Sequence, residues 1–491
     1  MNSYILSIDA GTTGITVLVI DQQFSICKKY YQEFSQYYPK EGWVEHDPVE
    51  IWKVTHSLIL AAFEDFQIKN IFSIGITNQR ETTVIWNKKT GEPIYNAIVW
   101  QCRRTKDICN KLKNDGFSTL VKEKTGLVID SYFSGTKIKW LIENIPSAIQ
   151  NTKNNKLAFG TIDTWLIWNL TKGNIHATDY TNASRTMIFN INKKEWDEEL
   201  LSILNIPSNI LPEVKPSTGD FGKTHKQILN HEIPITGVAG DQQAALFGQQ
   251  CFNKGDTKCT YGTGCFLMTN TGEKRVDSSS GLITTIACDS KGAASYALEG
   301  SVFIGGALIQ WLRDELKIIS SASETEEIAL SIKDSNGVMI VPAFTGLGAP
   351  YWDMEARGII SGLSRGSNRK HIIRASLESI AFQVSDLTFS IIKDLNRDIS
   401  CLKVDGGASS NNFLMQFQSD ILGLDIHRPS NIESTALGAG LLSGIGAKLW
   451  DDISIIKSTY KDINVFKPSM AKNKSSQLLL RWKKAIKKSL Q

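Results

Sequence analysis

A hairpin plan that occurs twice, about 250 residues apart, restricts the fold of this chain more than any other feature. The plan is a run of strand formers, a turn of small residues and hydroxyls, and a second run. Its first copy is Tyr4–Asp9, the turn AGTTG at 10–14, and Ile15–Ile20; its second is Asp256–Tyr261, the turn GTG at 262–264, and Cys265–Thr269. Each copy predicts a β-hairpin. A third glycine turn, GGA at 406–408, follows the short strand Cys401–Asp405. After it, Asn412–Leu422 carries Phe413, Leu414, Phe417, Ile421 and Leu422 at the spacing of one helical face. With a buried-strand candidate at Ile71–Ile76 and a helical pattern over Ile372–Leu395, the chain reads as α/β, in two domains of related plan. The expected partition is 1–250, 251–450 and a helical segment 451–491. The apolar face of that last segment (Leu478, Leu479, Trp482, Ile486, Leu490) packs on the body while its lysines stay in water.

Turns of glycine and threonine can wrap a phosphate, because glycine lets backbone N–H groups converge and threonine adds a hydroxyl donor. Three such turns in one chain, the first preceded by Asp9 where a carboxylate could hold hydrated Mg²⁺, point to nucleotide binding. The chain has neither a lysine-bearing P-loop nor a dinucleotide glycine fingerprint opening an early helix. Phosphate handling without those motifs points toward the two-domain architecture shared by actin and the sugar kinases.

Composition removes other classes. The 491 residues hold 54 Lys and Arg against 50 Asp and Glu, with no basic stripe of the kind a nucleic-acid binder needs. The eight cysteines have no zinc-ligand spacing and read as reduced thiols. No stretch reaches the roughly 20 apolar residues of a membrane span, and Met1–Ile20 lacks the basic start of a secretion signal. A cytoplasmic protein without membrane insertion is expected.

Two segments offer polar chemistry beside apolar runs. GITNQRE at 75–81 places the Arg80 fork next to the Glu81 carboxylate, the donor and acceptor a small polyhydroxylated substrate requires, although on this segment alone a solvated pair at a strand end is the preferred reading. VAGDQ at 238–242 ends an apolar run with Asp241 and Gln242, and Asp241 also suits a helix N-cap. Trp100, Tyr132 and Phe266, taken singly, read as core aromatics, and the seven histidines show no metal spacing.

Several longer stretches resemble the FGGY family of carbohydrate kinases from Tyr4 to about Trp450, and in particular its glycerol-phosphorylating members. They are NQRET at 78–82, AIVWQCRR at 97–104, YFSGTKIKW at 132–140, GDQQAALFG at 240–248, YGTGCF at 261–266, PAFTGLGAPYW at 342–352, DGGA at 405–408 and NNFLMQ at 411–416. The resemblance implies two ribonuclease-H-like domains flanking a nucleotide and substrate cleft. It implies that Arg80, Glu81, Tyr132, Asp241 and Gln242 hold the hydroxyls of glycerol while Trp100 and Phe266 cover its carbon edge. It further implies that Thr12, Thr13, Thr263, Gly306, Gln310, Gly407, Ala408 and Asn411 contact ATP. The activity implied is ATP-dependent phosphorylation of a terminal glycerol hydroxyl to sn-glycerol 3-phosphate, with Asp241 as general base and Mg²⁺ held near Asp9 and Asp241 through water. A homo-oligomer is implied as well. The first turn departs from the family pattern: Ala10 stands where glutamine is usual, and Gly14, Ile15 and Thr16 stand where Ser, Ser and Arg are usual. Rival readings are a kinase for another polyol or ketose, and a catalytically silent nucleotide-binding regulator. The complete set Arg80, Glu81, Trp100, Tyr132 and Phe266 favours glycerol, and the retained Asp241 favours catalysis.

Overall fold

The computed structural model describes residues 3–146, 148–450 and 463–490. It divides into two units: Met1–Gln250 with Thr284–Tyr296 and Thr435–Thr459, and Cys251–Ile283 with Ala297–Ser434 and Tyr460–Gln491.

In the first unit the expected hairpin forms from β1 (Tyr4–Ala10) and β2 (Gly14–Ile20), antiparallel, with Asp9 opposite Thr16. β3 (Ile26–Glu33) adds antiparallel to β2. On its other side β1 pairs in parallel with β4 (Ile71–Asn78), and β4 in parallel with β5 (Ile235–Gly240), giving the order β5-β4-β1-β2-β3. Parallel neighbours require crossovers, and α1 (Pro48–Asp65) lies in the connection that carries the chain from the edge strand β3 back to β4 beside β1. Its start is fixed locally: Asp47 accepts from the Val49 N–H at 2.8 Å, and Pro48 takes a first-turn position whose N–H would have no helical partner. Ile51, Leu58 and Ile59 of α1 join Leu6, Ile8, Val17 and Ile76 of the sheet in one buried cluster. The same unit contains α2 (Ser134–Asn144) and α3 (Asp241–Gly248).

The helix Ser434–Gly446, part of this unit from Thr435 on, is built mainly of small residues. A Cβ on Gly75 would lie 2.2 Å from the Ala439 carbonyl, and one on Gly237 would lie 2.3 Å from the Ser443 nitrogen, so the helix approaches β4 and β5 only because both positions are glycine. Thr236 Oγ1 donates to the Ser443 carbonyl at 2.8 Å. This packing draws the chain back to the first unit, whereas the sequence suggests an uninterrupted second domain over 251–450. A small-residue stripe carries no apolar periodicity that would announce it. Residues 451–462 of the expected C-terminal segment lie outside the described residues.

The second unit repeats the plan. β6 (Thr257–Tyr261) and β7 (Cys265–Gly272) form the second hairpin, β6 pairs in parallel with β8 (Cys401–Asp405), and β8 in parallel with β9 (Asp425–Pro429). β10 (Ile463–Phe466) adds antiparallel to β9. Two ribonuclease-H-like halves account for the recurrence seen in the sequence. The long helix α4 (Arg369–Leu395) and α5 (Asn412–Leu422) cover this sheet, and α6 (Lys472–Ser489) packs on α4. Trp482 of α6 stacks on Phe382 with ring centroids 5.4 Å apart and donates through Nε1 to Asp386. All eight cysteines are free thiols, and among the described residues no helix is long and apolar enough to cross a membrane.

Candidate active site

In both units the parallel strands end level with one another, so the segments that follow them emerge side by side. In the first unit Ala10 and Gly240 both pair with Asn78, which brings the turn at 10–14, the segment Gln79-Arg80-Glu81 and Asp241 to one edge of the sheet. Asp241 is the first residue of α3 and Gly240 is its N-cap, so the N-cap role the sequence allows for Asp241 is not the one it takes. Its side chain, 26% exposed, faces Arg80, whose Nε lies 3.1 Å from Asp241 Oδ1. Arg80 Nη1 donates to Gln243 Oε1 at 3.1 Å, and Gln242 is buried beside it on the same helix.

Arg80 and Glu81 are 2% and 1% exposed, which removes the solvated-pair explanation. Glu81 has a φ of 61°, a left-handed conformation that a residue with a Cβ adopts only where its surroundings enforce it. Its carbonyl accepts from Ser134 Oγ at 3.0 Å and Lys137 Nζ at 3.3 Å, both from α2, and its carboxylate accepts from Arg185 Nε at 2.5 Å with Arg80 Nε 3.8 Å away. Lys137 also donates to the Tyr132 carbonyl at 2.6 Å; burial pushes its ammonium down to about 8. Tyr132 is held at its N–H by Asp130, and its ring meets Trp100 edge-on at 5.6 Å and the Arg185 guanidinium at 5.4 Å. Trp100 Nε1 donates to Thr12 Oγ1 at 2.9 Å. Thus Arg80, Glu81, Trp100, Tyr132, Asp241, Gln242 and Thr12, scattered over 230 residues of sequence, belong to one polar assembly in the first unit.

Arg185 and Lys137 are structural members of that assembly that sequence reasoning did not single out. Arg185 is fully buried, and a lone arginine in TDYTNASRT carries no signal of it. Arg185→Met removes the shortest ion pair of a buried carboxylate. Breaking a buried pair on one side costs about 3–5 kcal/mol, so the variant is expected to unfold at markedly lower temperature, with Arg185→Met/Glu81→Gln recovering part of the loss. Thermal unfolding of both variants checks this, and a single variant as stable as the native protein refutes it.

Thr13 is exposed in the first turn, and Asp9 pairs with Thr16 across the hairpin. Thr16 is buried against β3, where its backbone partner is Tyr31.

The second unit gathers the remaining residues at the ends of β6 and β8. The carbonyls of Gly262 and Thr263 accept from the N–H groups of Gly306 and Ala307 at 2.9 and 3.1 Å, tying that turn to the helix Gly306–Asp314, on which Gln310 is exposed. Gly406 sits at φ 82°, where a Cβ would meet the Tyr261 carbonyl at 2.6 Å, and Gly407 is open, with nothing near its Cβ position. Ala408 follows in the same short turn. Asn411 caps α5 by accepting from the Leu414 N–H at 2.9 Å and donates to Thr325 Oγ1 at 3.1 Å. Phe266, on β7, is 8% exposed.

Comparison with known proteins agrees with this fold. The model of the FGGY family of carbohydrate kinases matches with its N-terminal domain over residues 4–248 and with its C-terminal domain over residues 257–447. The chain belongs to that family and is a carbohydrate kinase. It is similar to the glycerol kinase of Caldanaerobacter subterraneus subsp. tengcongensis, 55% identical over 492 residues that span 100% of this chain and 99% of that protein. It is also similar to glycerol kinase 2 of Thermotoga maritima, 56% identical over 489 residues, 99% of each chain. Among solved structures it is similar to Plasmodium falciparum glycerol kinase with ADP, with a TM-score of 0.91 at 40% identity, covering 100% of this chain and 99% of that one. The xylulose kinase of Lactobacillus acidophilus, at 23% identity over 98% of this chain and 97% of that one, shares the fold with a TM-score of 0.86.

Proposed function

We propose that this protein transfers the γ-phosphoryl group of ATP to a terminal hydroxyl of glycerol, giving sn-glycerol 3-phosphate and ADP. The observation that carries the reading is the Arg80–Asp241 contact of 3.1 Å with the buried Glu81 carboxylate beside it. It gives one small site a fork donor, a carboxylate acceptor and a second carboxylate able to take a proton. The similarity to proteins named glycerol kinase supports the choice of substrate.

In this reading Arg80, Glu81, Tyr132 and Gln242 bind the hydroxyls, and Trp100 and Phe266 cover the carbon edge. The terminal hydroxyl oxygen bonds to the γ-phosphorus as the bond to the bridging oxygen of ADP breaks, and the hydroxyl proton passes to the Asp241 carboxylate. Aspartate, with an ordinary pKa of about 3.9, is a weak base, yet a loose phosphoryl-transfer transition state asks for positioning more than for strong deprotonation. Arg80 supplies that positioning by fixing the carboxylate. Thr12, Thr13, Thr263, Gly306, Gln310, Gly407, Ala408 and Asn411 contact ATP.

Among the described residues no three carboxylate, imidazole or thiol groups gather as a metal cage. Mg²⁺ commonly takes one or two protein carboxylates together with phosphate oxygens and water, and Asp9, one residue before the end of β1, and Asp241, directly after the end of β5, are carboxylates at the same edge of the sheet. Asp9 and Asp241 would hold it through water, and when bound it offsets charge on the transferring group. A coupled assay of ADP release tests the reading across glycerol, dihydroxyacetone, xylulose and erythritol at saturating MgATP. Glycerol is expected to give the highest kcat/KM of the four. A higher value for one of the others would move the protein to the polyol or ketose reading, and no release with any of them would favour the silent regulator.

A further inference from the structure

The first turn rests on a buried histidine that the reaction itself does not use. His46 lies in a two-residue strand, Glu45–His46, paired with Ala97–Ile98, and is fully buried, its ring edge-on to Phe34 at 4.9 Å. Its Nε2 is 2.6 Å from Gln36 Oε1, and its Nδ1 is 3.2 Å from Gln79 Nε2. Each glutamine then reaches the turn: Gln79 Nε2 donates to the Gly11 carbonyl at 3.1 Å, and Gln36 Nε2 donates to the Thr12 carbonyl at 3.0 Å. Thr82 Oγ1 closes the chain by donating to Gln79 Oε1 at 2.9 Å.

These partners admit one assignment of protons. Both glutamine nitrogens face carbonyl oxygens, so each is an amide donor, and Gln36 Oε1 must accept from the imidazole. His46 is therefore the neutral Nε2–H tautomer, donating to one glutamine and accepting from the other. Burial holds its pKa down to about 3, which keeps that form in place. Were the ring to flip or its polarity be lost, both amides would lose their orientation at once.

We infer that His46 is a positioning residue for nucleotide binding: it orients Gln36 and Gln79 so that they grip the Gly11 and Thr12 carbonyls and aim the turn's N–H and hydroxyl groups at the ATP phosphates. The inference rests on the reading that this turn contacts ATP. The turn at 10–14 holds no charged side chain, so it offers a phosphate only backbone and hydroxyl donors, whose aim is set by the carbonyls beside them.

The test compares His46→Phe and His46→Gln with the native full-length protein. Phenylalanine keeps the ring and removes both polar atoms; a carboxamide restores one donor and one acceptor on neighbouring atoms. His46→Phe is expected to raise the KM for MgATP about ten-fold, the effect of losing roughly one well-made hydrogen bond at the turn, while the KM for glycerol stays within about two-fold. His46→Gln should recover most of the loss. An unchanged KM for MgATP, or an equal rise in both KM values, overturns the inference. If His46→Phe does not fold, Gln36→Leu carries the same test, since it removes the amide that links His46 to the Thr12 carbonyl, leaves Gln79 on Gly11, and must produce the same split. Calorimetric binding of ADP separates the two levels. Weaker ADP binding by the variant in a protein that does not turn over glycerol would sink the glycerol reading and leave this one standing, whereas no ADP binding by the native protein would sink both.

Discussion

Asp241→Asn is expected to lower kcat by about 10²–10⁴-fold, the range for losing a general base, while glycerol still binds. The substitution keeps the shape and the oxygen that faces Arg80 Nε at 3.1 Å, so the site's geometry survives, and what disappears is the proton acceptor. Asp241 opens α3, directly after Gly240 at the end of β5, where the sheet and the helix start together fix its backbone. A residue held in that way loses little besides its chemistry on conversion to the amide. Steady-state kinetics with saturating MgATP measures the fall in turnover, and protection of the variant against thermal unfolding by glycerol shows that binding persists. Turnover close to native would remove Asp241 from proton transfer.

The fold was legible in the sequence where periodicity is short-range. β1 with β2, β6 with β7, the strand Cys401–Asp405 and the helix Asn412–Leu422 all stand where alternation and helical spacing place them. The helix Ser434–Gly446 was not legible, because its fit against Gly75 and Gly237 is a matter of absent side chains on three separate segments. The site divides along the same line. Arg80 and Glu81 are visible as a fork beside a carboxylate, but their burial is not, and the groups that pair with the buried Glu81, Arg185 and Lys137, lie in sequence contexts that look ordinary. His46 and the two glutamines are legible only in three dimensions: residues 36, 46 and 79 come together through hydrogen bonds that no spacing encodes.

The central claim is that a set of buried polar groups in the first unit reads the hydroxyls of glycerol, and the rate constant for an analogue with one hydroxyl fewer tests it most directly. Arg80 and Glu81 are almost wholly buried, so a substrate that fails to pair with one of them leaves a desolvated donor or acceptor without compensation. Sites built in this way reject the deficient analogue by as much as about 10⁴–10⁵-fold, and a methyl group in place of the hydroxyl offers nothing to recover the loss. With 26% of its side chain exposed, Asp241 can exchange a lost partner for water, which keeps the expected ratio below that ceiling. Measured side by side at saturating MgATP, kcat/KM for glycerol is predicted to exceed that for 1,2-propanediol by at least about 10²-fold. Comparable values for the two substrates would contradict the account.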